Sequence, residues 1–333
     1  MKVVKWIGIV LGALLVMGFG GSYYFKSAAQ KRLAKTYDVA VEPIPIPYPL
    51  TDAEIAELRE EKRKALPAGS TEDPLSGVDL IAIARERGLA RGKHYLESRA
   101  GCRECHGEDF GGKTIVENPA MGKWIAPNIT LGGVTADYRP QDWVRIIRHG
   151  LLRSGLPAVM PSFDFASFSD QELSDIALYI QSLPKVSRVM PKSELGPIYS
   201  MLIANGEVPV SAEVIDHRAP RPKLPPAIAV NSELGKHLGA TCTGCHGAGL
   251  SGGPIQGGDP AWPPAKNLTF DDSGLAKWTL ADFRKALRDG VRPDGTAINR
   301  VMPISYTSRL SPEEVDALYL YLQSVPKKAF GNH

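Results

Sequence analysis

Cysteine is scarce in this chain: 333 residues hold four, and all four fall in two short motifs, which leaves none for a disulfide. A basic surplus is also missing. The net charge is +3, but residues 1–36 carry six Lys/Arg and no acid, so the remainder is net −3 and offers no basic face of the kind that binds nucleic acid. Strand signals are weak throughout, and no βαβ pattern surrounds the cysteines. The 33 glycines and 27 prolines imply many loops without reaching a disordered composition. Long hydrophobic runs are absent except for one.

That run is "WIGIVLGALLVMGFGGSYYF", residues 6–25, twenty uncharged positions that are about enough to cross a bilayer as a helix. Lys2 and Lys5 precede it, Lys26 and Lys31 follow, and Trp6, Tyr23 and Tyr24 sit at interfacial positions. The reading is a retained membrane anchor over residues 1–36. The alternative is a signal peptide cleaved near Ala29, within the small-residue stretch Ser27-Ala28-Ala29. Residues 37–87 then read as a proline-rich spacer, "VAVEPIPIPYP", and a charged surface helix that Thr51 and Glu54 would open as a capping box.

From residue 88 the sequence repeats. Gly92-Lys93-His94 answers Gly235-Lys236-His237, "PNIT" (127–130) answers "KNLT" (266–269), and "DWVRIIRHG" (142–150) answers "DFRKALRDG" (282–290). "VMP" recurs at 159–161 and 301–303, and "LYIQSLP" (178–184) answers "LYLQSVP" (320–326). The order is the same in both copies and the spacing nearly so. This marks a duplicated domain, at 88–186 and 232–329, joined by a linker at 187–231. Each copy reads as a leading helix, a cysteine motif, a middle helix and a last helix capped by Ser169 or Ser311. The expected fold is all-α.

The motifs are "CRECHG" (102–107) and "CTGCHG" (242–247). A zinc site needs four ligands, and the two C-x-x-C hooks lie in separate repeats. A thioredoxin-like pair needs a strand before it. Covalent haem attachment remains: Cys102 with Cys105, and Cys242 with Cys245, would form thioethers, and His106 and His246 would bind the irons. Of seven methionines, only Met160 and Met302 occupy matching positions, 54 and 56 residues after those histidines, each followed by proline. They are the candidate sixth ligands. Met121, Met190 and Met201 read as packing residues. His149 and His217 have no repeat partner, and His94 and His237 match each other on the leading helix, where a surface position is expected.

On these motifs the sequence resembles the class I c-type cytochromes, as two tandem cytochrome c domains behind an N-terminal transmembrane helix. It is similar to the cytochrome subunits of bacterial periplasmic dehydrogenases. The resemblance covers roughly residues 88–186 and 232–328. It implies two covalently bound haem c groups, close helix crossings at Gly92 and Gly235 against Tyr179 and Tyr321, and haem-pocket roles for Asn128, Thr130, Asn267 and Thr269. Two closed axial positions per iron imply single-electron transfer from a membrane or periplasmic donor to a downstream acceptor in a respiratory chain. The redox partners would be a dehydrogenase, an oxidase or another cytochrome. A dihaem peroxidase-like enzyme, or a subunit without activity of its own, are the alternatives. The haem domains would face the periplasm from the bacterial inner membrane, or be soluble there after cleavage.

Overall fold

The computed structural model describes residues 6, 20–256, 258–259 and 261–331. The expected membrane span falls mostly outside them, and among the described residues no helix is long and apolar enough to cross a membrane. Helix α1 covers residues 20–33. After an extended strap, α2 (Asp52–Ala65) starts at the expected capping box: Thr51 accepts from the Glu54 amide, and Glu54 accepts from the Thr51 amide at 2.8 Å. Only Leu58 of α2 is buried, as a charged surface helix requires.

Copy 1 consists of α3 (Leu80–Ser98), α4 (Cys102–His106), β1 (Lys113–Asn118), β2 (Gly122–Ala126), α5 (Pro140–His149) and α6 (Asp170–Ser182). The segment between the copies carries β3 (Glu194–Leu195), α7 (Pro197–Asn205) and α8 (Ser211–Val214). Copy 2 repeats the plan with α9 (Ser232–Gly239), α10 (Thr243–His246), α11 (Leu280–Asp289), α12 (Ile304–Thr307) and α13 (Pro312–Ser324).

In each copy the leading helix crosses the last one at a glycine. A side chain on Gly92 would overlap the Asp175 carbonyl and Tyr179, and one on Gly235 would overlap the Ala317 carbonyl and Tyr321. Hydrogen is the only substituent that lets the two backbones touch. The cores form around these crossings: Leu96, Phe110, Trp143, Leu173 and Ile176 in copy 1, and Leu234, Leu250, Phe283, Val315 and Leu322 in copy 2. Phe110 and Leu250 occupy matching positions and share a left-handed backbone conformation, φ 56° and 57°, a sign that the duplication extends to local backbone detail.

The all-α expectation requires amendment. The fold is mostly helical, but β1 and β2 form an antiparallel hairpin that β3 extends into a three-stranded sheet. Among the described residues, copy 2 keeps the first rung of that hairpin, as the bridge between Gly253 and Ala265. The segment expected as a plain linker also has a small core of its own. Tyr199, Ile203, Val208 and Val210 close around Ala29 of α1, with Trp124 of β2 stacked edge-on against Tyr199. Arg32 of α1 adds an ion pair to Glu213 and a bond to the Ile203 carbonyl.

The two copies meet through a buried ionic cluster. Glu172 and Glu314 each cap their own helix with one carboxylate oxygen, accepting from the Ser169 and Ser311 amides at 2.8 Å. The other oxygen of Glu172 accepts from His237 at 2.7 Å and from Arg99 at 3.0 Å. Glu314 accepts from His94 at 2.9 Å and from the Arg99 Nε at 2.9 Å. His237 is largely buried in this contact rather than at the surface as expected, whereas His94 keeps 35% of its side chain exposed. They form a pseudo-symmetric pair of contacts across the domain boundary. Arg99 serves both glutamates, and its counterpart in copy 2 is Gly239, where a side chain would collide with the Tyr321 ring.

Candidate functional site

The cysteine motifs form single helical turns at the ends of α3 and α9. Each turn stops at a glycine with positive φ, Gly107 at 86° and Gly247 at 78°. The chain then doubles back so that the Gly112 amide donates to the His106 carbonyl and the Gly252 amide to the His246 carbonyl, both at 2.9 Å. The imidazoles are held from one side only: His106 Nδ1 donates to the Pro127 carbonyl at 2.9 Å, and His246 Nδ1 to the Lys266 carbonyl at 2.7 Å. That bond fixes the tautomer and leaves Nε2 as the nitrogen for a metal. Burial lowers the pKa of both histidines, which keeps the rings neutral and able to coordinate.

Burial, with the neighbouring cysteine as a lesser contribution, pushes the Cys102 and Cys242 thiols up to about 12. Neither is a thiolate prepared for disulfide exchange, so the redox-pair reading of C-x-x-C loses its chemical basis.

Cys102 and Met160 pack on the core of copy 1, and Cys242 and Met302 on the core of copy 2. Asn128 and Thr130 lock the loop that carries the Pro127 carbonyl. The Asn128 amide donates to the Val186 carbonyl at 2.6 Å, and its oxygen accepts from Thr130 Oγ1 at 2.8 Å. In copy 2, Asn267 donates to the Lys328 carbonyl at 2.7 Å and accepts from Thr269 Oγ1 at 2.8 Å. These four residues tie each histidine-orienting loop to the segment beyond the last helix. His149 and His217, which the sequence left without a role, hydrogen-bond to each other at 3.0 Å and join α5 to the inter-copy segment. Met121 lies against the small core around Tyr199, and Met190 covers Gly112.

Between the copies lies a cavity of about 800 Å³. Cys105, Thr241, Met302, Tyr306 and Trp262 contribute to its wall, so residues of both sites open onto one space. The motif of each copy abuts the turn that follows the candidate methionine of the other. The Tyr306 ring lies against Gly101, Ser305 donates to Glu104 at 2.5 Å, and Asp164 is pressed on Gly244 between Cys242 and Cys245. This arrangement suits two flat prosthetic groups attached through the cysteines. Trp143 Nε1 is a buried donor without a protein partner, which fits an acceptor supplied by such a group in copy 1.

Residues 89–180 match the model of the cytochrome c oxidase cbb3-type subunit III family, and residues 232–326 match that of the cytochrome c family. The gluconate 2-dehydrogenase cytochrome c subunit of Pantoea cypripedii is 34% identical over 292 residues, covering 76% of this chain and 64% of that protein. The fructose dehydrogenase cytochrome subunit of Gluconobacter japonicus is 33% identical over 96 residues, covering 27% of this chain and 20% of the relative. The alcohol dehydrogenase (quinone) cytochrome c subunit of Gluconobacter oxydans is 38% identical over 86 residues, covering 24% and 18%. The chain thus spans less than two thirds of the length of each of these relatives. The two C-x-x-C-H motifs in two matched domains make the cofactors two haem c groups.

Proposed function

The chain belongs to the c-type cytochromes, with two cytochrome c domains homologous to those in the cytochrome c subunits of bacterial membrane dehydrogenases, and on that premise we propose that it is the electron-transfer subunit of such a dehydrogenase. Bound haem c supplies reversible one-electron chemistry. The protein's part is to hold and insulate it. Cys102, Cys105, Cys242 and Cys245 would hold it through thioethers, and His106, His246, Met160 and Met302 would bind the irons. Asn128, Thr130, Asn267 and Thr269 act on the haem pocket through the loop that orients each histidine. Were Met160 and Met302 to bind the irons together with His106 and His246, no coordination site would be left for substrate, which favours carriage of electrons over peroxidase-like catalysis.

The observation that carries this reading is the interdigitation of the two sites. Each cysteine turn packs on the other copy's methionine turn, around one cavity. Electrons entering at one site would then find the other as its neighbour across a cavity that both copies line. The donor would be a dehydrogenase subunit, and the acceptor a terminal oxidase or another cytochrome.

Retention of the N-terminal run as an inner-membrane anchor, with the haem domains in the periplasm, is supported by Ala29. This residue is fully buried at the centre of the small core. Cleavage beside it would detach residues up to 29 from α1 and leave Tyr199 and Ile203 uncovered. A dehydrogenase partner is tested by purifying the native complex through a C-terminal tag. Co-purification of a large dehydrogenase subunit that reduces both haems with its substrate supports the proposal. Co-purification with an oxidase core instead would move the protein to the acceptor side of the chain.

A further inference from the structure

Beyond the ligands themselves, we infer that Ser211, in the segment between the two domains, is a positioning residue for the axial methionine of the first haem. The inference rests on the assignment of Met160 as an iron ligand. Ser211 opens α8 and is almost fully buried. Its hydroxyl donates to the Met160 carbonyl at 2.5 Å and accepts from the Ser162 amide at 3.0 Å. The same Ser162 amide lies 2.8 Å from the Met160 carbonyl, so one hydroxyl closes a tight ring around the peptide that follows the methionine. Ser162 is itself anchored, donating from Oγ to the Ile146 carbonyl of α5 at 2.9 Å.

The serine is held from behind. Its Cβ fits against Gly150, where any side chain would collide with it, and Gly150 has φ 63°. His217 takes the Ala212 carbonyl at 3.0 Å and His149 of α5 at 3.0 Å, which pins α8 to the middle helix of copy 1. Val208 and Val210, just before Ser211, belong to the small core around Ala29. The direction of the Met160 side chain is therefore set by a hydroxyl from outside the cytochrome domain, on a base shared with α1.

Copy 2 is built differently at the same place. The backbone turn is retained, with the Ile304 amide donating to the Met302 carbonyl at 2.9 Å. The Ile304 side chain packs on Gly290 where copy 1 has Ser162 and Ser211. Met302, Pro303 and Ile304 also border the interdomain cavity. The two sulfur ligands thus differ in how firmly the fold presents them, and Ser211 accounts for that difference on the side of copy 1.

The test uses the full-length holoprotein in two backgrounds. Met302→His removes the sulfur ligand of the second haem, so the sulfur-to-iron charge-transfer band of the oxidised protein reports the first haem alone; Met160→His does the reverse. Added imidazole then competes with the remaining methionine. Loss of one hydrogen bond to a buried carbonyl is worth about a factor of ten in an equilibrium. Ser211→Ala is expected to lower the imidazole concentration that half-displaces Met160 by about tenfold, and to leave the corresponding value for Met302 unchanged. An equal shift at both haems, or at neither, overturns the inference, because a general loosening of the fold would not single out one site. Absence of the band from the Met302→His protein with Ser211 intact would overturn the Met160 assignment, and the inference with it. A band that is present but insensitive to Ser211→Ala overturns the inference alone.

Discussion

Replacing Arg99 by alanine would withdraw the guanidinium that lies between Glu172 and Glu314. All three side chains are essentially sealed from water, at 3%, 0% and 1% exposure. Removing one partner of a buried ion pair generally costs about 3–5 kcal/mol, because the charge left behind is neither solvated nor neutralised. Here each glutamate keeps a histidine and its own capping hydrogen bonds, which places the expected cost at the lower end, about 3 kcal/mol. At ~1.4 kcal/mol per decade, that is a loss of roughly a hundredfold in the equilibrium holding the two domains together. For a chain of 333 residues the midpoint of thermal unfolding would fall by about 4 °C. Calorimetry of the holoprotein is the assay. The wild type should unfold with the two domains coupled, and Arg99→Ala should separate them into two transitions. The triple variant Arg99→Met, Glu172→Gln, Glu314→Gln, which leaves no buried charge in the cluster, should recover most of the loss. A single transition within about 1 kcal/mol of wild type for Arg99→Ala would refute the reasoning.

Two pH dependences of opposite sign follow from the same interface. Burial raises the Glu314 pKa, but the His94 hydrogen bond and the Arg99 charge outweigh it and hold the carboxyl at about 2. A depressed acid contributes stability that is complete above its unfolded value and is lost as pH falls towards 2; Glu314→Gln should therefore flatten the acid limb of the unfolding curve below about pH 4.5, and an unchanged limb would count against the cluster. Asp164 is the reverse case, pushed up to about 7 by burial. Its stabilising share is complete below the ordinary carboxyl value of 3.8 and is lost progressively as pH rises to about 7, so Asp164→Asn should raise the unfolding midpoint more at pH 8 than at pH 5, and an equal gain at both would contradict this. At the helix crossings, Gly235→Ala must force α9 away from the Ala317 backbone, a loss of several kcal/mol, on the order of the larger single-residue effects. The yield of copy 2 carrying haem should collapse while copy 1 still matures, as read from the mass of the tryptic haem peptides.

What the sequence made legible was local or periodic. The duplication, the capping boxes at Thr51 and Ser169, the helix crossings and both cysteine motifs lie in short windows, and the structure has them at the expected positions. What it hid depends on pairing between distant segments. β3 is two residues long and meets β2 from some seventy positions away, so no window contains the sheet. The hairpin strand β1 is mostly solvent-exposed and lacks the buried alternation that advertises a strand. Glu172 and Glu314 are the clearest case. Their positions mark them as helix caps, which they are, but the second oxygen of each also binds residues from across the domain boundary, His237 for Glu172, and His94 and Arg99 for Glu314. His237 looked like a surface residue because its helix face is exposed in a lone domain and covered when two copies meet; His94, on the matching face, stays 35% exposed. Ser211 gave no signal at all; its meaning comes from the methionine loop it touches.

The account rests on two hexacoordinate haems working as one electron-transfer unit. An anaerobic optical redox titration of the intact holoprotein tests that most directly. Two one-electron steps per polypeptide are predicted, with a sulfur-to-iron charge-transfer band in the oxidised form that disappears in proportion to both steps. A single step, or two steps without that band, would contradict it.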